Sequence, residues 1–396
     1  MLGKQTSAMV SGHASVVGTK YGALNQDVSL VHRIPIPQTD KHIIIAAVLD
    51  GHGMLGEVAA EAAGRELVTH IVACIQEHVI AHNKLKKNKD QAGYLRAWGK
   101  RRIREMFDTA FQKAHACVLD IYQAAPPKYS FPDGTGMGHH VFELQSRDKR
   151  NDTAAIYTNP TAGARLVEFG TTASVVVLEP GFVAVGHVGD SDVILGSLDG
   201  QFLVATELTK PHSGHNISER YRIGEFLCED EELLGLAALR EDGYLEVSNL
   251  GGLSSVALGM TRAVGHYHLQ AFGVIPSPEI SFYDIDDGKD VCLILATDGV
   301  WDAMHPRDAV VFVSSSLASK RSSPDRESRV AMDLCKACVE MQIKAVGAAD
   351  NTSAAVIFFS GESFMDAVIR HEVSDVRVVD KKDKEEESPH IPSYVI

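Results

Sequence analysis

The 396-residue sequence has no run of 18 or more apolar residues, so no membrane-spanning helix is expected. Its first residues, Met-Leu-Gly-Lys-Gln-Thr-Ser, lack the apolar stretch of a secretion signal. Glycine stands at position 3 rather than 2, which breaks the N-myristoylation pattern. Basic residues are outnumbered, 38 Lys and Arg against 52 Asp and Glu, for a formal net charge of −14. That balance argues against a general nucleic-acid binder, which needs a basic footprint. It fits a soluble chain that collects carboxylates around cations. The six cysteines, Cys74, Cys117, Cys228, Cys292, Cys335 and Cys338, are scattered. Such usage points to free thiols in a reducing compartment, with cytoplasm or nucleus as the expected location. Cys335 and Cys338 form a Cys-x-x-Cys without a second pair. The spacing of Val330, Leu334, Cys338 and Met341 makes this a helix face rather than a zinc or redox site. No internal repeat is found.

What the chain does have is a stretch from His42 to Gly53, His-Ile-Ile-Ile-Ala-Ala-Val-Leu-Asp50-Gly51-His52-Gly53. A continuous apolar run of this kind suits a strand buried on both faces, with Asp50 where the strand leaves the core. The glycines let backbone approach a ligand closely. A strand followed by a Gly-rich turn is the plain alternative. Residues 12–33 read as two strands joined by a polar cluster, Asn25-Gln26-Asp27. Leu67, Ile71, Ile75 and Val79 mark an amphipathic helix from Glu57 to about His82. The basic link at 84–89 reads as a solvated connection, and Phe107, Phe111, Ala114 and Val118 mark a second helix. From about 124 to 165 periodicity is lost, which predicts a long loop or insertion.

Strand signals then cluster at 170–178, 182–188 and 193–197, separated by tight turns, as in an antiparallel sheet. Residues 216–240 look helical and charged. Val291–Thr297 is another buried strand ending in Asp298-Gly299. Helices are expected at about 307–320 and 326–346, and Asp350-Asn351 opens a last strand to Phe359. The Asp-, Lys- and Glu-rich end, 372–396, is expected to be a disordered acidic tail. Strands in groups and helices in pairs favour a layered α+β arrangement over a doubly wound sheet.

Asp50 and Asp298 each end a buried strand and precede Gly. Asp190 sits in a turn between strands, Asp350 precedes a strand, and Asp27 lies at a strand join. A buried carboxylate costs several kcal/mol unless it is paired, hydrogen-bonded or bound to a cation. No Lys or Arg lies beside Asp50 or Asp298 in sequence. Divalent hard cations are the economical partners, and an oxygen-only donor set points to Mg²⁺ or Mn²⁺. Two such ions can bind phosphate oxygens and activate water, and His52 is placed to protonate a leaving alkoxide. The alternative, that each Asp is a turn residue, weakens as these coincidences accumulate.

In these pieces the chain resembles the metal-dependent Ser/Thr protein phosphatases of type 2C, the PPM family. The resemblance runs in order through Asn25-Gln-Asp27, Val48-Leu-Asp50-Gly-His-Gly53, Gly170-Thr-Thr-Ala173, Val188-Gly-Asp190-Ser191, Leu208-Thr209 with His212, Leu258-Gly-Met-Thr-Arg262-Ala-Val-Gly265, Ala296-Thr-Asp298-Gly-Val-Trp301-Asp302 and Asp350-Asn351-Thr-Ser. It implies a four-layer α/β/β/α sandwich of two antiparallel sheets flanked by helix pairs, spanning residues 1–371. A flap-like segment at about 213–250 is expected to bear on specificity. The implied cofactors are two Mn²⁺ or Mg²⁺ ions, with a weaker third. Asp50 and the Gly51 carbonyl would bridge or ligate them, Asp298 and Asp350 would complete the second, and Asp27 would act in the outer shell. Asp190 and Asp302, with Asp298, resemble the third site. His52 resembles the general acid, and Thr172 matches a threonine near the third site. The implied partners are phosphorylated proteins, with no nucleic acid or membrane, and the expected state is a monomer.

There are departures from the family's pattern. Gln26 stands where many members have Glu, and Gly22 where many have a phosphate-gripping Arg. Asp192 replaces the Arg after Gly-Asp-Ser, and His266 replaces an Asp. Lys20 or Arg33 is the available substitute for the missing Arg, although Lys lacks the bidentate fork. These changes leave open a pseudophosphatase scaffold or a hydrolase of small phosphate compounds.

Overall fold

The computed structural model describes residues 9–20, 22, 24–85, 93–124, 126–132, 138–145, 156–199, 202–248, 255–286, 288–320 and 325–359. The acidic tail and most of the basic link lie outside these residues. In chain order the elements are β1 (Val10–Val16), β2 (Asp27–Pro35), β3 (His42–Gly53), α1 (Gly56–Leu85), α2 (Tyr94–Trp98), α3 (Lys100–Gln123), β4 (Lys128–Pro132), β5 (His139–Gln145), β6 (Ile156–Asn159) and β7 (Gly163–Leu166). There follow β8 (Phe169–Thr171), β9 (Ala173–Glu179), β10 (Phe182–Val188), β11 (Asp192–Asp199), β12 (Phe202–Glu207), α4 (Ile217–Cys228), α5 (Glu231–Leu236), β13 (Ala237–Leu239), β14 (Leu245–Val247), β15 (Val256–Leu258) and β16 (Val264–Gly265). Last come β17 (Glu279–Asp284), β18 (Asp290–Ala296), α6 (Asp298–Trp301), α7 (Pro306–Ser319), α8 (Arg326–Val346) and β19 (Thr352–Phe358).

The apolar run in β3 is buried on both faces, and its alternation explains the layers. Ile43, Ile45, Ala47 and Leu49 pack with Leu67, Ile71 and Ile75 of α1 and Phe107, Phe111, Ala114 and Val118 of α3. Ile44, Ala46 and Val48 point the other way, into a core shared with Val193, Leu195, Leu293, Leu295, Ala355 and Ile357. Beyond that second sheet, α7 and α8 cover Ile294, Val356 and Phe358. Each fully buried aliphatic side chain contributes about 1.5–3 kcal/mol over an exposed one, so β3 alone fixes two interfaces. One sheet has the order β1-β19-β18-β11-β12. The other runs β16-β8-β3-β9-β10-β17, with β2 also paired to β3. All pairings in both are antiparallel. This is the four-layer α/β/β/α sandwich. Cys335 and Cys338 lie buried on the α8 face against this core, as the helix-face reading expects.

Two expectations need correction. Where a long loop or insertion is expected at 124–165, the described residues form a four-stranded antiparallel sheet, β4, β5, β6 and β7. Its strands are short and bury little beyond Phe142, Tyr157 and Leu166, so they carry too little apolar periodicity to show in sequence. The strand expected at 170–178 breaks at Thr172 into β8 and β9, which pair with successive parts of β3. The segment at 213–250 folds around its own core, where Ile223 and Leu227 of α4 meet Leu245, Val247 and Leu258 of the β13-β14-β15 sheet.

Candidate active site

Antiparallel register brings the aspartates to one end of the sandwich. Asp27 opens β2 directly opposite Asp50 near the end of β3. In the facing sheet, Asp192, Ala296 and Ala354 form one row across β11, β18 and β19, so Asp298 and Asp350 lie just beyond it. Asp190 occupies the turn by which the chain passes from β10 in one sheet to β11 in the other.

Hydrogen bonds from neighbouring residues hold Asp50, Asp27 and Asp350 in place. The Asp50 N–H donates to Thr172 Oγ1 at 2.9 Å, and the Asp50 carbonyl accepts from the Thr172 N–H and Thr171 Oγ1, both at 2.9 Å. The strand break at Thr172 is therefore what turns two threonines onto Asp50. Thr297 Oγ1 donates to Asp27 Oδ2 at 2.8 Å and accepts from the Ser353 N–H at 3.0 Å, which ties the two sheets together under the site. Gln342 of α8 accepts from the Asp350 N–H at 2.8 Å and donates to the Gly299 carbonyl at 2.6 Å. At Gly51 a side chain is impossible: its Cβ would stand 2.2 Å from the Gly56 carbonyl oxygen.

The centre is short of positive charge. Asp27 Oδ1, Asp190 Oδ1 and Asp298 Oδ1 are buried without a hydrogen-bond partner. Burial, reinforced by the neighbouring carboxylates, pushes Asp27 up to about 7 and Asp190 up to about 8. Burial followed by the charges of Asp27 and Asp298 pushes Asp50 well above the ordinary range. Asp298 and Asp302 are also raised, first by burial and then by Asp350. Lys20 Nζ lies 2.8 Å from Asp350 Oδ2, at the exposed rim. Buried acidic oxygens that repel one another and lack donors form a donor set that fits hard divalent cations.

His52 Nε2 lies 3.5 Å from Asp50 Oδ1, and its Nδ1 is buried without a partner. Burial, then the nearby His266, lowers its pKa to about 4. The two rings are 6.3 Å apart. His266 adopts a left-handed backbone, φ 50, and its Nδ1 is 3.3 Å from Glu168 Oε2. Gly170 makes room for that ring, since a Cβ there would stand 2.4 Å from His266 Cδ2. Burial raises Glu168 to about 7, and Tyr122 Oη is 3.5 Å from it.

The structure thus brings Asp27, Asp50, Gly51, His52, Asp190, Asp298, Asp302, Asp350 and Thr172 to one end of the fold. Of the departures, Gln26 donates to the Gly53 carbonyl at 3.0 Å and to Glu57 Oε2 at 3.2 Å, so a carboxylate still stands beside this position. Asp192 accepts from Thr209 Oγ1 at 2.7 Å, and burial raises it to about 6. Arg33 is turned to Ser11, with Nη2 3.0 Å from the Ser11 carbonyl, whereas Lys20 pairs with Asp350. Sequence reasoning missed Thr297, Gln342 and Glu168. Thr297 has a visible signal, its place between a buried strand and Asp298. Gln342 sits on a helix 43 residues from Gly299 with nothing local to single it out.

Comparison with known proteins agrees with this geometry. The chain matches the protein phosphatase 2C family model over residues 74–346, more than half its length. That span holds Asp190, Asp298 and Asp302, while Asp27, Asp50, His52 and Asp350 lie outside it and join the group through the fold. The chain is 35% identical over 158 residues to Probable protein phosphatase 2C 33 of Arabidopsis thaliana, covering 40% of this chain and 30% of that protein. It is 31% identical over 151 residues to Protein phosphatase 1L of Bos taurus, covering 38% and 37%. The matches thus span about a third of the length of these curated relatives. Among solved structures, serine-threonine phosphatase 2C from Toxoplasma gondii superposes with a TM-score of 0.64 at 18% identity, covering 89% of this chain and 95% of that one. A C. elegans sex determining protein superposes with a TM-score of 0.56 at 16% identity, covering 92% and 68%. These two show a shared fold. With the family match over most of the same elements, the conclusion is that the chain belongs to the protein phosphatase 2C family.

Proposed function

We propose that this chain is a metal-dependent protein serine/threonine phosphatase. Asp50, the Gly51 carbonyl, Asp298 and Asp350 would hold two Mn²⁺ or Mg²⁺ ions, with Asp27 behind them. Asp190 and Asp302 would serve a weaker third. The observation that carries this reading is the gathering of these carboxylates at one end of the fold, with three buried oxygens lacking any donor. When bound, the ions would neutralise the carboxylates, draw phosphate oxygens into the cleft and make water nucleophilic at neutral pH.

The chain's own residues account for the rest. Thr171, Thr172, Thr297 and Gln342 fix the carboxylates and so set the donor positions before substrate arrives. Hydrolysis forms a bond from water oxygen to phosphorus and breaks the bond to the Ser or Thr oxygen, which then needs a proton. His52 is the titratable side chain beside Asp50 placed to give one. Burial keeps it neutral in the free protein. An incoming phosphate dianion favours the imidazolium, so the ring gains its proton in the substrate complex. Lys20, its side chain 54% exposed beside Asp350, offers substrate phosphate a point charge where Gly22 offers none.

The assay is hydrolysis of a phosphothreonine peptide with Mn²⁺ or Mg²⁺ and with EDTA. Turnover with metal and none with EDTA is expected, and equal turnover in EDTA would sink the proposal. Phosphorylated metabolites, tested alongside, should be poorer substrates than the peptide. One observation favours a scaffold without turnover: Lys20 already pairs with Asp350, a proposed metal ligand, at 2.8 Å. Calorimetry with Mn²⁺ separates the two readings, since the scaffold would take up little or no metal.

A further inference from the structure

A second cluster of ligand-type side chains lies outside the aspartate centre. We propose that His187, His212 and Glu279 form a site for one divalent ion of the zinc class, which fastens the loop after β12 to the body of the sandwich. None of the three belongs to the aspartate set, and the inference does not depend on the phosphatase reading.

The geometry comes from three separate segments. His187 on β10 and Glu279 on β17 are direct partners in an antiparallel pair, so their side chains share a face. His212 arrives from the loop between β12 and α4, and its ring stacks on His187 with centroids 4.4 Å apart and planes 13° apart. One ligand atom from each residue lies within 4.8 Å of the other two. His212 Nε2 is 3.5 Å from Glu279 Oε2. Zinc bonds of about 2.0–2.1 Å in a tetrahedron keep ligand atoms about 3.4 Å apart, so one pair is already at that spacing. The other spacings reach up to 4.8 Å, and the stacked rings would have to turn out of their near-parallel arrangement for both to face one ion.

The hydrogen bonding of the two rings is what singles the cluster out. His187 Nε2 is 3.1 Å from the Lys210 carbonyl oxygen, which can only accept, so the ring proton is on Nε2. The lone pair is therefore on Nδ1, which is buried and has no partner. A metal-bound histidine is oriented this way, with its far N–H given to a backbone carbonyl. His212 is fully buried; its Nδ1 has no partner, and its Nε2 faces Glu279 Oε2 at 3.5 Å, a long contact. Each of the two buried rings thus keeps one nitrogen, Nδ1, without a partner, and such atoms call for one. Burial lowers the pKa of both imidazoles, which favours the neutral form that metals bind, although Glu279 opposes this at His212.

The donor types decide which ion. Two imidazoles and one carboxylate suit Zn²⁺, whereas the oxygen-only aspartate set suits Mg²⁺ or Mn²⁺. Glu279, its side chain 51% exposed, brings negative charge and an entry route, and leaves the fourth position to water. Arg262 is the neighbouring cation. It is turned away to Glu219 through Nε at 3.0 Å and Nη2 at 2.6 Å, and to the Ser277 carbonyl through Nη1 at 3.2 Å. The ion would act on the loop it fastens. The His212 N–H donates to the Gly189 carbonyl at 2.9 Å, beside Asp190, and the His212 carbonyl accepts from Thr261 at 2.7 Å.

The test uses the full chain carrying Asp50→Asn and Asp298→Asn, which disables the aspartate centre. After exposure to Zn²⁺ and gel filtration, elemental analysis should find one equivalent of zinc. Co²⁺ should give the intense visible bands of a four-coordinate site. Adding Glu279→Gln at the half-exposed position should weaken zinc by at least about tenfold, with an unchanged circular dichroism spectrum, and His187→Asn should do the same. No retained zinc and only the weak absorption of hexaaquo cobalt would overturn the proposal, leaving an ordinary stack of buried rings. Zinc binding that survives Glu279→Gln unchanged would overturn it as well, whether or not the His187 variant folds.

Discussion

Replacing Asp27 with asparagine tests the electrostatics of the aspartate centre in metal-free protein. The side chain is buried, with one oxygen held by Thr297 and the other without a partner. Burial, with Asp298 and Asp350 repelling, moves its pKa from 3.8 to about 7. An acid raised by folding contributes stability that is fully present below its unfolded value and is lost as pH climbs through the folded value. The window for Asp27 therefore runs from 3.8 to about 7. Each unit within it is worth about 1.4 kcal/mol, so taking metal-free protein from about pH 5 to about pH 8 should remove on the order of 3 kcal/mol through this group. Asparagine has nothing to ionise. Asp27→Asn should flatten the slope without abolishing it, because Asp50 and Asp190 are pushed the same way. Urea midpoints across that range, in chelator, measure the effect. A wild type as stable at the alkaline end as at the acid end, or an unchanged slope in the variant, would refute the reasoning. Saturating Mn²⁺ should recover most of the wild-type loss, since a bound cation offsets the same charges.

Other residues give narrower tests. Thr172→Val leaves the buried Asp50 N–H without its acceptor, at a cost of about 1–3 kcal/mol, and should weaken Mn²⁺ binding by calorimetry. His52→Gln should lower kcat on a phosphothreonine peptide by about 100-fold or more, and much less on p-nitrophenyl phosphate, whose leaving group needs no proton. Equal losses on both would remove the acid role. Lys20→Met should raise KM for the peptide with kcat nearly kept, while a loss confined to kcat would place Lys20 elsewhere in the reaction.

Much of the fold was legible because its strands are buried on both faces. The run Ile43 to Leu49 and the run Val291 to Ala296 announce themselves as core, and each delivers an aspartate at its end. The 124–165 sheet was not legible, since its strands bury single residues such as Phe142, Tyr157 and Leu166 rather than alternating sets. Nor was the break at Thr172, because an apolar sequence alone does not reveal a change of partner strand. The aspartates could be named from sequence, whereas their supports could not. Gln342 meets Asp350 only through the packing of α8, and His187, His212 and Glu279 meet only through register and loop docking. His266 looked like a lost acidic residue. In the fold it stands with Glu168 and Tyr122 behind His52, a set that no spacing would disclose.

The central claim is that the clustered aspartates hold the metals that make this chain a phosphatase. Turnover of a phosphothreonine peptide by Asp298→Ala, followed as Mn²⁺ is raised to saturation beside the wild type, tests it most directly. The account predicts wild-type activity that rises with Mn²⁺ and a variant that stays at background at every concentration, although folded. A variant that matches the wild type at saturating Mn²⁺ would contradict it.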